Sequence, residues 1–200
     1  MSDQFRILCV CTGNVYRSRI AADEIAGQLR ALIGSDAEQF AVRSAGTRAE
    51  TGRPLEPLQA RQLARLGLGV DLPPAHGLDQ DELRKADLIL TAEQQHRSVV
   101  LERLPAVMRR TFMLVEFARL TAGMPLGAGI GDGSAVDRAR EVVAWASSHR
   151  APGVPGGTDD IADPWGRPEA VLELAAGRVR TMSAGAVEAL TGLRRDDDIR

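Results

Sequence analysis

Val10-Cys11-Thr12-Gly13-Asn14-Val15-Tyr16-Arg17-Ser18 joins a compact apolar run, Phe5-Arg6-Ile7-Leu8-Cys9-Val10, to a helical pattern that starts at Ser18. The run reads as a short buried strand ended by the turn Thr12-Gly13-Asn14. Beyond Ser18, Ile20, Ala21, Ile25, Leu29, Leu32 and Ile33 form an apolar stripe at three and four spacing, stopped by Gly34. A tight turn between a buried strand and a helix aims successive backbone N–H groups into one concavity. The following helix N-terminus adds unsatisfied donors and a positive dipole end. An anion the size of phosphate fits that environment.

The side chains in this turn suit the same guest. Cys11 stands at its mouth, where N–H dipoles and a guanidinium favour the nucleophilic thiolate. Arg17 carries a planar fork that can hold two oxygens of one anion. Ser18 can donate a hydrogen bond to the sulfur. Gly13 permits close backbone approach, and Asn14 tolerates a positive φ while its amide braces the loop. A cysteine at a strand end is ordinarily a small buried hydrophobe. That reading is adopted for Cys9 but leaves the residues after Cys11 unexplained.

Outward from the turn, strands and helices alternate. Further strands are predicted at 39–44, 87–91 and 111–115, and helices at 58–68, around 83–86 and at 93–104. This order predicts one α/β domain of three layers, α/β/α, with a central four-stranded parallel sheet. After about Thr121 the texture changes. A glycine-rich stretch, 123–133, precedes an amphipathic helix at 135–149, and a second breaker-rich stretch covers 151–158. A long helix at 169–190 follows, with possible weak points at Gly177 and Gly185. The predicted domain is 1–193, with an insertion at about 121–160 and a flexible tail at 194–200. The insertion is read as a solvated excursion or, because it lies just upstream of Asp163, as a cap or pairing surface.

Composition sets the limits. The chain has 200 residues and a net charge of -2, so no global basic field draws it to nucleic acid. No apolar run approaches the roughly 20 residues that span a bilayer, and no secretory signal is expected. Two cysteines, two positions apart on one strand, make no disulfide framework. A cytoplasmic location is expected. His76, His96 and His149 are scattered without metal-ligand spacing, so neither metal nor cofactor is expected.

Cys11-Thr12-Gly13-Asn14-Val15-Tyr16-Arg17-Ser18 resembles the phosphate loop of the low-molecular-weight protein tyrosine phosphatases: cysteine, five residues, then Arg-Ser, with Gly-Asn in the middle. Ser44-Ala45-Gly46-Thr47, Ala86-Asp87-Leu88-Ile89-Leu90-Thr91 and Asp163-Pro164-Trp165 resemble later features of the family in the same order. The resemblance covers roughly 4–120 and 160–192. It implies Cys11 as nucleophile, and Arg17 with Thr12, Gly13, Asn14, Val15, Tyr16 and Ser18 as the phosphate cradle. It also implies Asp163 as general acid on a loop stiffened by Pro164, with Ser44 in support. Asp159 and Asp160 are nearby rivals without the proline and aromatic.

Trp165 is read either as an aromatic platform for a phenyl ring or as a core tryptophan beneath the acid loop. Tyr16 stands where many relatives carry a second cysteine, so the protective disulfide of those relatives cannot form here. The implied reaction is hydrolysis of phosphotyrosine through a phosphocysteine. The alternatives are thiol-dependent arsenate reduction, phosphoarginine hydrolysis (disfavoured by the apolar Val15) and a non-catalytic phosphate-binding scaffold. The implied partner is a phosphotyrosine protein, such as a bacterial tyrosine kinase or its substrate. Neither nucleic-acid binding nor membrane insertion is expected, and the chain is expected to be a monomer or weak homodimer.

Overall fold

The computed structural model describes residues 4–69, 72–124, 133–150 and 159–193. Among them, four parallel strands form one sheet in the order β2-β1-β3-β4: β1 (Phe5–Cys11), β2 (Phe40–Gly46), β3 (Leu88–Thr91) and β4 (Thr111–Met113). β1 lies inside the sheet, pairing Cys11 with Gly46 on one side and Val10 with Thr91 on the other. The expected fold class stands.

Helices cover both faces. α1 (Arg17–Ile33), α5 (Leu114–Ala122), α6 (Ala135–Ser148) and α7 (Glu169–Thr191) pack over the side chains of Phe5, Ile7, Cys9, Leu88, Leu90 and Phe112. The opposite face, carrying Leu8, Val10 and Ile89, is covered by Leu83 of α3 (Gln80–Lys85), Val100 of α4 (Gln94–Arg103) and Val107 of a 3-10 turn. Strict alternation along β1 thus sends Cys9 into one core and Val10 into the other. α2 (Pro57–Arg65) opens on Pro57, with the Glu56 N–H donating to Gln59 Oε1 at 3.1 Å.

The fourth strand and the last helix differ from expectation. The fourth strand stops at Met113, and Leu114-Val115 open a helix, α5, that hydrophobic pattern alone does not reveal. Its start is marked by Glu116, which accepts the Met113 N–H at 3.1 Å. α7 runs unbroken through Gly177 and Gly185, because burial of Ala175, Ala176, Val179, Ala186 and Val187 outweighs the weak helix propensity of glycine.

α6 is not a solvated excursion. Val136, Ala139, Val142, Val143 and Ala146 are buried in the main core, and Ser134 caps the helix through the Asp137 N–H at 3.2 Å. Arg150, just beyond it, lies 4.3 Å from the Phe112 ring centroid and pairs with buried Glu116 at 3.1 Å. Residues 125–132, 151–158 and the expected tail 194–200 lie outside the described residues.

Candidate active site

The end of β1 delivers Cys11 to the carboxyl edge of the sheet, beside the point where strand order reverses. Open α/β sheets have their natural crevice there. β2 and the chain beyond it hold the loop from outside: the Thr47 N–H donates to the Cys11 carbonyl and the Arg48 N–H to the Thr12 carbonyl, both at 2.9 Å. Gly46 is packed so closely that a Cβ there would lie 2.6 Å from the Thr12 oxygen and 2.7 Å from the Asn14 nitrogen. Among the described residues, the backbone N–H groups of Gly13, Asn14, Val15 and Tyr16 donate to no protein backbone acceptor.

Asn14 sits at φ 52° and is 1% exposed. Its Nδ2 donates to Ser18 Oγ at 3.0 Å and to Ser44 Oγ at 2.9 Å, while Oδ1 accepts the His76 N–H at 2.9 Å. One amide thus fixes the loop to α1, β2 and the 76–77 segment, which offsets the cost of its left-handed backbone. Because Ser18 Oγ already accepts from Asn14, its own proton is free for Cys11 Sγ, 3.1 Å away. Cys11 and Cys9 are both free and buried, and burial pushes the Cys9 thiol up to about 12.

Arg17 is 2% exposed, and both of its terminal nitrogens are engaged. Nη1 donates to Glu93 Oε1 and, at 2.8 Å, to the Ile161 carbonyl. Nη2 meets Asp163 Oδ2 at 2.8 Å and Thr12 Oγ1 at 3.3 Å. Asp163 is partly exposed, and its Oδ1 accepts the Trp165 N–H at 3.1 Å. Pro164 is buried between these two exposed neighbours. The rival acids have other partners: Asp159 pairs with Arg119 at 3.0 Å, and Asp160 accepts the Gln94 N–H at 2.7 Å where α4 begins.

Tyr16, the residue before α1, is buried, and its hydroxyl donates to Gln62 Oε1 of α2 at 2.5 Å. Burial, with Glu56 and Asp163 nearby, raises its phenol above the ordinary value. Its ring lies 6.5 Å from that of Trp165, at 55°. Trp165 is 53% exposed, which rules out a core tryptophan. Cys11, Thr12, Gly13, Val15, Tyr16 and Arg17 share a cavity of about 410 Å³ with Asp163 and Trp165, and Arg48, Glu50, Arg53 and Leu55 complete its rim.

Glu93 and His96 did not stand out in the sequence. His96, one of three histidines scattered along the sequence, is 1% exposed, with Nε2 2.8 Å from Thr12 Oγ1. Burial first, and the Arg17 charge second, push it down to about 4, so the ring is neutral. Both residues directly follow β3 at the edge where a crevice is expected, which is the signal that could have found them. His76 keeps to the periphery, its Nε2 2.7 Å from Glu82 Oε2. Among the described residues, no three His, Cys, Asp or Glu side chains gather as a metal site. A thiol, a buried guanidinium, loop N–H groups without a backbone acceptor and a solvent-reaching carboxyl around one cavity can support nucleophilic displacement at an oxyanion centre with proton transfer to the leaving atom.

Comparison with known proteins agrees with this chemistry. The family model for low molecular weight phosphotyrosine protein phosphatase matches residues 6–125. A probable low molecular weight protein-tyrosine-phosphatase, EpsP, from Ralstonia nicotianae is 29% identical over 119 residues, 60% of this chain and 77% of the relative. The low molecular weight protein-tyrosine-phosphatase Ptp of Acinetobacter johnsonii is 31% identical over 114 residues, 56% of this chain and 73% of the relative. Among solved structures, the YwlE arginine phosphatase of Geobacillus stearothermophilus superposes with a TM-score of 0.64 at 24% identity, covering 94% of each chain. The Erwinia amylovora tyrosine phosphatase AmsI gives 0.62 at 21%, covering 96% of this chain and 95% of that one. At these identities the two structures bear on the fold alone.

Proposed function

This chain belongs to the low molecular weight protein tyrosine phosphatase family, and we propose that it hydrolyses phosphotyrosine through a phosphocysteine at Cys11. Cys11 Sγ attacks phosphorus in line, and the S–P bond forms as the bond to the tyrosine oxygen breaks. Arg17 and the loop N–H groups hold the three equatorial oxygens of the loose transition state. Asp163 gives its proton to the departing phenolate. It then takes one from water, which displaces Cys11 and releases inorganic phosphate. Ser18 stabilises the thiolate in both steps.

The observation that carries this reading is the ion pair at 2.8 Å between Arg17 and Asp163 above the Cys11 loop. It brings the acid to the group that would hold the phosphoryl oxygens. Thr12, Gly13, Asn14 and Val15 line the cradle, with Ser44 and Pro164 as supports. Apolar Val15, Tyr16 and Trp165 offer walls for an aryl leaving group rather than a charged guanidino group. The partner proposed is a tyrosine-phosphorylated protein, a bacterial tyrosine kinase or its substrate, met in the cytoplasm. Among the described residues, no helix is long and apolar enough to cross a membrane.

The test is hydrolysis of para-nitrophenyl phosphate, a phosphotyrosine peptide and phosphoarginine by wild type, Cys11→Ser and Asp163→Asn. Wild type should act on the first two and Cys11→Ser on none. An inactive wild type, or a fully active Cys11→Ser, refutes the mechanism, and a preference for phosphoarginine refutes the substrate.

A further inference from the structure

Arg19 is the third residue of α1, and its side chain turns back beneath the loop, where Nε donates to the Asn14 carbonyl at 2.5 Å. The residue is 5% exposed. Among the described residues, its buried Nη2 meets no hydrogen-bond partner, and no carboxylate pairs with it. Asp23, one turn further along α1, is exposed to solvent. Glu24, on the seam with α7, faces Arg180 at 3.7 Å. A guanidinium buried without a counter-charge is costly. Burial pushes Arg19 below its ordinary value, and the neighbouring Cys11 side chain acts against that shift. Arginine remains protonated even so.

The front of the cradle shows why a second cation matters. Arg17 is already paired with two carboxylates, Glu93 and Asp163. Once an anion takes the place of Asp163, the single charge of Arg17 is still matched by buried Glu93, so the pair sums to zero, and neutral His96 adds nothing. A thiolate on Cys11 takes the sum below zero. A phosphate dianion would meet a field of its own sign unless another cation lay near.

We propose that Arg19 is a second cationic positioning residue of the anion cradle. It stands behind the loop as Arg17 stands in front, fixes the Asn14 carbonyl, and takes the bound anion as its counter-charge. This inference rests on the loop being a phosphate site, as the proposed function has it. Arg19 touches no reacting atom; it acts through the loop and through its field.

Inorganic phosphate is the probe, with its dissociation constant measured by calorimetry on the full chain. Arg19→Gln keeps a donor for the Asn14 carbonyl and loses the charge; Arg19→Lys keeps the charge and loses the fork. Arg19→Gln should bind phosphate about fivefold to tenfold more weakly, and Arg19→Lys within about twofold of wild type. Unchanged affinity in Arg19→Gln, or equal weakening in both variants, overturns the inference, since shape rather than charge would then matter. If Arg19→Gln does not fold, Arg19→Met takes its place beside Arg19→Lys: weakening of about fivefold or more in Arg19→Met alone supports the charge role, and equal affinity in the two variants overturns it. Binding is read apart from turnover. A chain that binds phosphate in this Arg19-dependent way but hydrolyses no ester refutes the function alone. Normal turnover with no effect of Arg19→Gln on binding refutes this inference alone.

Discussion

Asp163 Oδ2 rests 2.8 Å from Arg17 Nη2. The proposed acid therefore occupies a donor that a phosphoryl oxygen would use. On the proposed mechanism, substrate would displace this carboxylate from Arg17 and leave it free to serve the leaving oxygen.

Asp163→Asn should therefore separate binding from turnover. The kcat for aryl phosphates should fall by about 10²- to 10⁴-fold, as expected for loss of a positioned proton donor. Phosphate affinity, by contrast, should hold or improve, because a competing negative charge on Arg17 is gone. Steady-state kinetics with phosphate as inhibitor measure both. Equal losses in kcat and phosphate affinity would argue against this exchange.

Glu93 is the buried partner on the other side of Arg17. Glu93→Gln removes the buried counter-charge of Arg17 and leaves it only the partly exposed Asp163, which should cost about 3 kcal/mol in urea unfolding. The kcat should fall too, because Nη1 of the fork would be held by neutral acceptors alone. Full stability in Glu93→Gln would mean that the pair is incidental.

His96 supplies a pH dependence. Its native value of about 4 lies below the ordinary 6.5. Above pH 6.5 both folded and unfolded forms are neutral, and the full contribution to stability is present. As the pH falls from 6.5 towards 4, the unfolded chain takes up a proton that the native ring refuses. Stability should then drop by up to about 3 kcal/mol, the product of the shift and about 1.4 kcal/mol per unit. Urea unfolding of wild type and His96→Gln between pH 7 and pH 4 checks this: the variant should lack that part of the slope.

Gly46→Ala should damage the loop without touching any reacting group. The new Cβ would meet backbone atoms of Thr12 and Asn14, which cannot move without shifting the loop. A displacement on the order of 1 Å costs about 100-fold in rate. Gly27→Ala, in open space within α1, is the control; it should gain about 1 kcal/mol with activity unchanged.

The cradle was legible because its chemistry is consecutive. Cys11, Gly13, Asn14, Arg17 and Ser18 fall within one turn, and the strand and helix on either side are short-range patterns. The sheet was legible for the same reason. What the sequence did not announce comes from residues joined only by folding. Glu93 and His96 lie some 80 residues from the loop they support, 76 and 84 positions from their partners Arg17 and Thr12. Arg19 looks like a routine helix residue until burial removes its water. α5 was hidden because Leu114 and Val115 continue the apolar run of β4, and only the Met113–Glu116 cap separates the two readings. The described part of the extra segment was misjudged because an amphipathic helix shows that it has an apolar face, not what covers it.

That covered face also bears on protein engineering. Trimming residues 135–148 to obtain a more compact catalyst would strip five buried aliphatic side chains and uncover the side of α7 against which the helix lies. The shortened chain would present a greasy patch to its neighbours and should aggregate on expression, even though the cut is nowhere near Cys11 in the chain.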